Sequence, residues 1–96
     1  MKVLGTFYTP MSCQQLAAHI WVGDGAVQCI AEQHCIITAP GLRLTLEGCG
    51  DILLEGQFGR PIAELDNWFA HLQTLSISCA IDVHGDAARL LRRHMQ

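Results

Sequence analysis

The spacing of apolar positions changes period most clearly between Arg60 and Val83. Ile62, Leu65, Phe69 and Leu72 recur at steps of three and four, which predicts a helix over 61–75 with Trp68 and Leu75 at the edge of its apolar stripe. Pro61 suits the first helical position, where its missing N–H has no partner to lose. From Leu75 the period becomes two: Leu75, Ile77, Cys79, Ile81 and Val83 alternate with Ser76, Ser78, Ala80 and Asp82. That alternation predicts a strand with one buried face.

Earlier in the chain, residues 2–9 read as a strand that is partly apolar on both faces, so it belongs inside a sheet. Pro10 ends it. Ser12 with Gln15 three residues on forms a capping-box pattern, and Cys13, Leu16, Ala17 and Ile20 share one face of a helix over about 13–20. The alternative for its last part is a strand over 18–22, since Ile20, Trp21 and Val22 favour sheet. Between Gly23 and Gly56 the turn signals Gly23-Asp24-Gly25, Ala39-Pro40-Gly41-Leu42 and Gly48-Cys49-Gly50-Asp51 separate four short strands, 26–31, 34–39, 42–47 and 51–55. Gln57, Phe58 and Gly59 link them to the helix. After the last strand, Asp86 suits a cap for a final helix, with Ala87, Leu90, Leu91 and Met95 on its apolar side and Arg89, Arg92 and Arg93 in water. The order β-α-β-β-β-β-α-β-α predicts one α+β domain over 1–96, a mostly antiparallel sheet with two or three helices on one face.

Composition adds a constraint. Hydrophobic residues make up 50% of the chain, glycine supplies nine more positions, and charged residues only 16%. Globular chains average about 25% charged and about 45–50% apolar with glycine included. A domain this small leaves much of its surface outside, so some apolar side chains are expected on a face that another chain covers. Net charge is −3. Most of the acids lie between Asp24 and Asp66, while three arginines cluster near the end. Nucleic-acid binding needs a basic stripe, which three arginines do not supply. The start of the chain lacks the apolar stretch of a signal peptide, and no run reaches the roughly 20 apolar residues of a membrane span. The expectation is a soluble, cytoplasmic protein without nucleic-acid or membrane partners.

Five cysteines, an odd number with no C-x-x-C pair, are expected as reduced thiols rather than a disulfide framework or a zinc site. If the turn after Ala31 centres on Glu32, Cys29 faces Cys35 and Ile30 faces His34. The two cysteines then share one sheet face and His34 lies on the other, which disfavours a metal site built from all three. Two neighbouring core thiols are the expected state of the pair, with a redox-sensitive cross-strand bond as the alternative. A turn centred half a residue later would place Cys29 opposite Ile36 instead.

No catalytic constellation stands out. Ser76, Ser78, Asp82 and His84 project from one face of the last strand, but side chains two apart on a strand are about 7 Å from each other, too far for a nucleophile and its base. The histidines are scattered, Glu64 and Asp66 point apart on their helix, and no glycine-rich phosphate loop occurs. No cofactor or metal is called for. The expected function is stoichiometric binding of another protein, as immunity proteins and phage-encoded anti-CRISPR inhibitors practise it, together with homodimer formation. Trp21, Phe58 and Trp68 are the candidate contact residues, because aromatic anchors dominate binding hot spots. Two alternatives are a small thiol or metal protein using Cys29, Cys35 and Cys49, and a small enzyme using Asp82 and His84.

Overall fold

The computed structural model describes residues 1–96. Strand β1 (Lys2–Thr9) is followed by helix α1 (Cys13–Ile20), strands β2 (Ala26–Ala31), β3 (His34–Ala39) and β4 (Leu42–Phe58), helix α2 (Ile62–Gln73), and strands β5 (Ser78–His84) and β6 (Leu90–Met95). All ladders are antiparallel and the order across the sheet is β2-β3-β4-β1-β5-β6.

β4 is not straight. Seventeen extended residues would reach about 56 Å, whereas the longest dimension of the molecule is 33 Å. The chain doubles back at Gly48-Cys49-Gly50, where both glycines take positive φ (124° and 82°). One arm, 42–47, pairs with β3 and the other, 50–57, pairs with β1. The two arms lie so close at Gly56 that a Cβ there would overlap the Arg43 carbonyl oxygen. The sheet is therefore seven strands wide.

The α+β class, the order of the first eight elements and the central place of β1 agree with the sequence pattern. Ser12 and Gln15 form the reciprocal capping box, and Gly41 takes the positive φ (70°) that a type II turn requires. In β4, Leu42, Leu44 and Leu46 are buried while Arg43 and Glu47 face water.

The final element differs. The helix expected after Asp86 is a single 3-10 turn over Asp86–Ala88, followed by β6. Ala87 and Ala88 both take left-handed φ (56° and 57°), which stops helical propagation. A helix of two turns is marginal alone, whereas the free edge of β5 offers a ladder to each residue of the tail. Arg92 and Arg93 consequently do not cap a helix dipole. Arg92 Nε donates to Asp66 Oδ1 at 2.9 Å, and Arg93 Nε to Asp82 Oδ1 at 2.8 Å. On α2, which starts one residue after Pro61, Trp68 replaces Ile62 in the buried stripe with Leu65, Phe69 and Leu72.

Both helices cover the same sheet face. α1 lies over β2, β3 and β4. α2 reaches β6 through Phe69, stacked on the buried His94 ring at 4.7 Å, and meets α1 where Trp68 Nε1 donates to Ile20 O at 2.8 Å. Between helices and sheet sits one core of 22 apolar residues, including Val3, Phe7, Leu44, Leu54 and Ile81.

Gly56→Ala should destabilise the domain by about 1–3 kcal/mol, because the added methyl group must push two paired arms apart. Chemical denaturation measures this, and an unchanged midpoint would contradict the tight doubling of β4.

Candidate functional site

The helices leave the second sheet face open. In the register of β1, Thr6 stands opposite Leu53 on one side and Ala80 on the other, and Ala80 stands opposite Met95. Leu53, Thr6, Ala80 and Met95 thus form a row across four strands, flanked by Leu4 and Tyr8 two residues along β1. Four of these are large and exposed: Leu4 41%, Tyr8 51%, Leu53 58% and Met95 70%. An open face of an antiparallel sheet ordinarily carries polar side chains. Here a shallow depression of about 590 Å³ is lined by Leu4, Leu53, Ala80 and Met95, with Asp82 and Arg93 at its side. Lys2, Asp51, Gln57 and His84 lie at the ends of the same strands.

Asp82 is fully engaged. Arg93 donates to both carboxylate oxygens, at 2.8 and 3.2 Å, and this bidentate bond holds the carboxyl below its ordinary range. His84 lies beside a different depression, with Lys2 and Gly85, so the two residues of the enzymatic alternative do not share a pocket.

The three aromatic residues singled out from the sequence do converge. Trp21, Phe58 and Trp68 line one cleft of about 250 Å³ together with Arg60 and His71. The rings of Trp21 and Trp68 are 6.2 Å apart, and those of Phe58 and Trp68 6.3 Å. They are not, however, side chains presented outward. Phe58 is 1% exposed and Trp68 5%, because Phe58 falls on the inward phase of β4 and Trp68 seals the contact between the helices. Trp21 is half-buried, its Nε1 donates to Asp24 O, and Arg60 lies over its ring at 5.5 Å while bonding Asp24 at 2.7 Å. The cleft is thus a polar-rimmed junction of the core whose aromatic donors are already satisfied.

The cysteines depart from expectation in two respects. Cys29 and Cys35 do face each other, but through a bulge in β2 rather than through a turn centred on Glu32, and they are joined in a disulfide rather than standing as two thiols. Ala31, not Ile30, stands opposite His34. The turn spans Glu32 and Gln33, so one residue of β2 is left over. Cys49 is exposed at the tip of the β4 doubling, and Cys13 and Cys79 are buried. Burial pushes the Cys79 thiol up to about 11 and raises Cys13 as well. No three His, Cys, Asp or Glu side chains stand together as a metal cage.

No family model, curated protein or solved structure matches this chain. The class of molecule is therefore defined by its architecture alone: a small α+β domain with one covered and one open sheet face. No helix is long and apolar enough to cross a membrane.

The open-face residues are only partly visible in the sequence pattern. Leu4 and Tyr8 form the second apolar face of β1, which a strand inside a sheet already explains. Met95 falls in a helical spacing of apolar residues, so its position beside Ala80 has no local signal.

Thiol titration of the native, unreduced protein at neutral pH should find one fast-reacting group, Cys49. Cys13 and Cys79 should react only on unfolding, since a raised pKa leaves them as neutral thiols. Two further thiols should appear only after reduction. Five reactive thiols in the unreduced, unfolded chain would contradict the Cys29–Cys35 bond.

Proposed function

We propose that this chain is a protein-binding module that acts by stoichiometric association, occupying a surface of its partner as a protein inhibitor does. The carrying observation is the exposed apolar patch on the open sheet face, where Leu53 and Met95 close the two ends of a row across four strands and Leu4 and Tyr8 flank its middle on β1. An apolar centre of this kind, with polar residues around it, has the anatomy of a binding patch. Tyr and Met are enriched in such centres, Tyr because it supplies rigid contact area with a hydrogen-bonding tip, Met because it adapts to an imposed shape. The sheet beneath is seven strands wide and hydrogen-bonded on both sides of β1, which holds the patch in place before any partner arrives. That lowers the entropic cost of association.

The aromatic cleft is the natural comparison. Its indole donors are spent on main-chain carbonyls and its mouth is held by Arg60 and Asp24, so a partner would have to displace an existing ion pair. The open face requires no such displacement.

Affinity capture from cells that carry the native chain, with wild-type, Leu53→Asp and Trp21→Ala baits in parallel, tests this assignment. Leu53 is exposed, so the aspartate should leave folding intact while placing a charge in the middle of the patch. The expected result is a partner held by wild type and by Trp21→Ala but weakened at least tenfold, about 1.4 kcal/mol, by Leu53→Asp. Equal capture by Leu53→Asp, or loss with Trp21→Ala alone, would move the site off the open face.

A further inference from the structure

The two edges of the sheet are finished differently. β6 carries Arg92 and Arg93, tied by hydrogen bonds to Asp66 and Asp82, and charged side chains on an edge strand discourage strand addition. β2 has no such protection. Its sequence, Ala26-Val27-Gln28-Cys29-Ile30-Ala31, contains no charge and no proline, and all six residues are exposed. It is the terminal strand of the sheet and pairs only with β3.

The free hydrogen-bonding groups can be assigned. Cys29 and Cys35 have Cα atoms 4.0 Å apart. That is the close spacing of a non-hydrogen-bonded antiparallel pair, about 4.5 Å, rather than the hydrogen-bonded one, about 5.5 Å. The N–H and C=O of Cys29 therefore point away from β3, and so do those of Val27, two residues earlier on the same side of the strand. Two donors and two acceptors lie along the outer margin without a partner strand.

We propose that β2 is a self-association edge that pairs antiparallel with β2 of a second copy about a two-fold axis at Gln28. In that register Val27 of one copy exchanges both main-chain hydrogen bonds with Cys29 of the other, and the symmetric pair repeats them. All four outward groups are then satisfied. Ala26 stands opposite Ile30 of the second copy, and Gln28 opposite its own counterpart. The absence of charge in β2 is what permits this, because a two-fold axis sets the central residue against itself and like charges there would repel. Of the two acids that flank this segment, Asp24 is matched by Arg60 within its own chain, and Glu32 lies beyond the bulge, outside the residues that would pair. The bulge after Cys29 limits the pairing to Ala26–Ile30. An axis perpendicular to the sheet leaves both open faces on one side, so the two apolar rows remain uncovered. The pairing thus stands independently of the function proposed for that face.

Sedimentation equilibrium on the full chain under non-reducing conditions tests it, with Gln28→Lys, Gln28→Glu, their equimolar mixture and Val27→Pro. Gln28 is exposed, so either charge should leave the fold unchanged. The wild type should dimerise. Each charged variant should raise the dissociation constant by about fivefold, and the mixture should restore or exceed wild-type affinity through a Lys–Glu pair on the axis. Val27→Pro removes one outward N–H from each copy and should weaken the dimer by about tenfold. A wild type that stays monomeric at high concentration overturns the proposal and leaves the edge to some other chain. Charged variants that dimerise like wild type overturn it as well, as does a dimer abolished by Leu53→Asp but not by Val27→Pro.

Discussion

The whole domain hangs on the double pairing of β1. Its eight residues pair with the second arm of β4 on one side and seven of them with β5 on the other, bringing together segments some fifty and eighty positions away. Without it the chain falls into a meander of β2, β3 and β4 and a separate α2-β5-β6 unit, and each would have to bury its apolar face alone. The approach is close: a Cβ at Gly5 would stand 2.7 Å from the Ala80 carbonyl oxygen, so glycine is the residue this position tolerates. Two such long-range ladders cost loop-closure entropy, and they recover it through Val3 and Phe7, which stand at the middle of the core.

Much of this was legible in the pattern of residues, and the reason is local. The capping box at Ser12, the positive-φ glycines of the turns and the strict alternation Leu42-Leu44-Leu46 each express their structure within a few residues. What escaped was decided at long range. Ala87 to Met95 carry a helical spacing of apolar residues, yet Leu90–Met95 form a strand because β5 needs a partner and a helix of about two turns does not sustain itself. Trp68 reads as an edge residue of α2, yet it is central because α1 lies where Ile20 O can accept its indole N–H. Periodicity reports which face of an element is apolar. It does not say which other element will lie against that face, and the candidate contact residues depended on this second question.

The same distinction bears on why the apolar excess and the proposed binding surface go together. Two helices of eight and twelve residues are enough to cover one face of a seven-stranded sheet and no more. The chain places its largest side chains on that covered face and still has Leu4, Tyr8, Leu53 and Met95 left for the other. A charged or small residue at any of those four positions would have served a solitary domain as well, since each points to solvent and contributes little to the buried core. Their size is consistent with a role in contact rather than in packing, which is the basis of the proposed function.

The Cys29–Cys35 bond bears on the edge of the sheet rather than on its stability. A cross-link restrains the unfolded chain in proportion to the logarithm of the loop it closes, and this loop spans a sequence separation of only six. The expected contribution is about 2 kcal/mol, against nearly 5 kcal/mol for a loop of about a hundred residues. Every residue of β2 is exposed, so detaching the strand would uncover little of the core, mainly Cys35 and Ile37 beneath it. The bond therefore acts locally. It holds an otherwise weakly packed edge strand in one register against β3, and by doing so it fixes which main-chain groups point outward. An edge free to slip by one residue would exchange Val27 and Cys29 for Ala26 and Gln28 at its margin and turn every side chain of the strand to the opposite face. The staple removes that freedom where the sheet has no second neighbour to remove it.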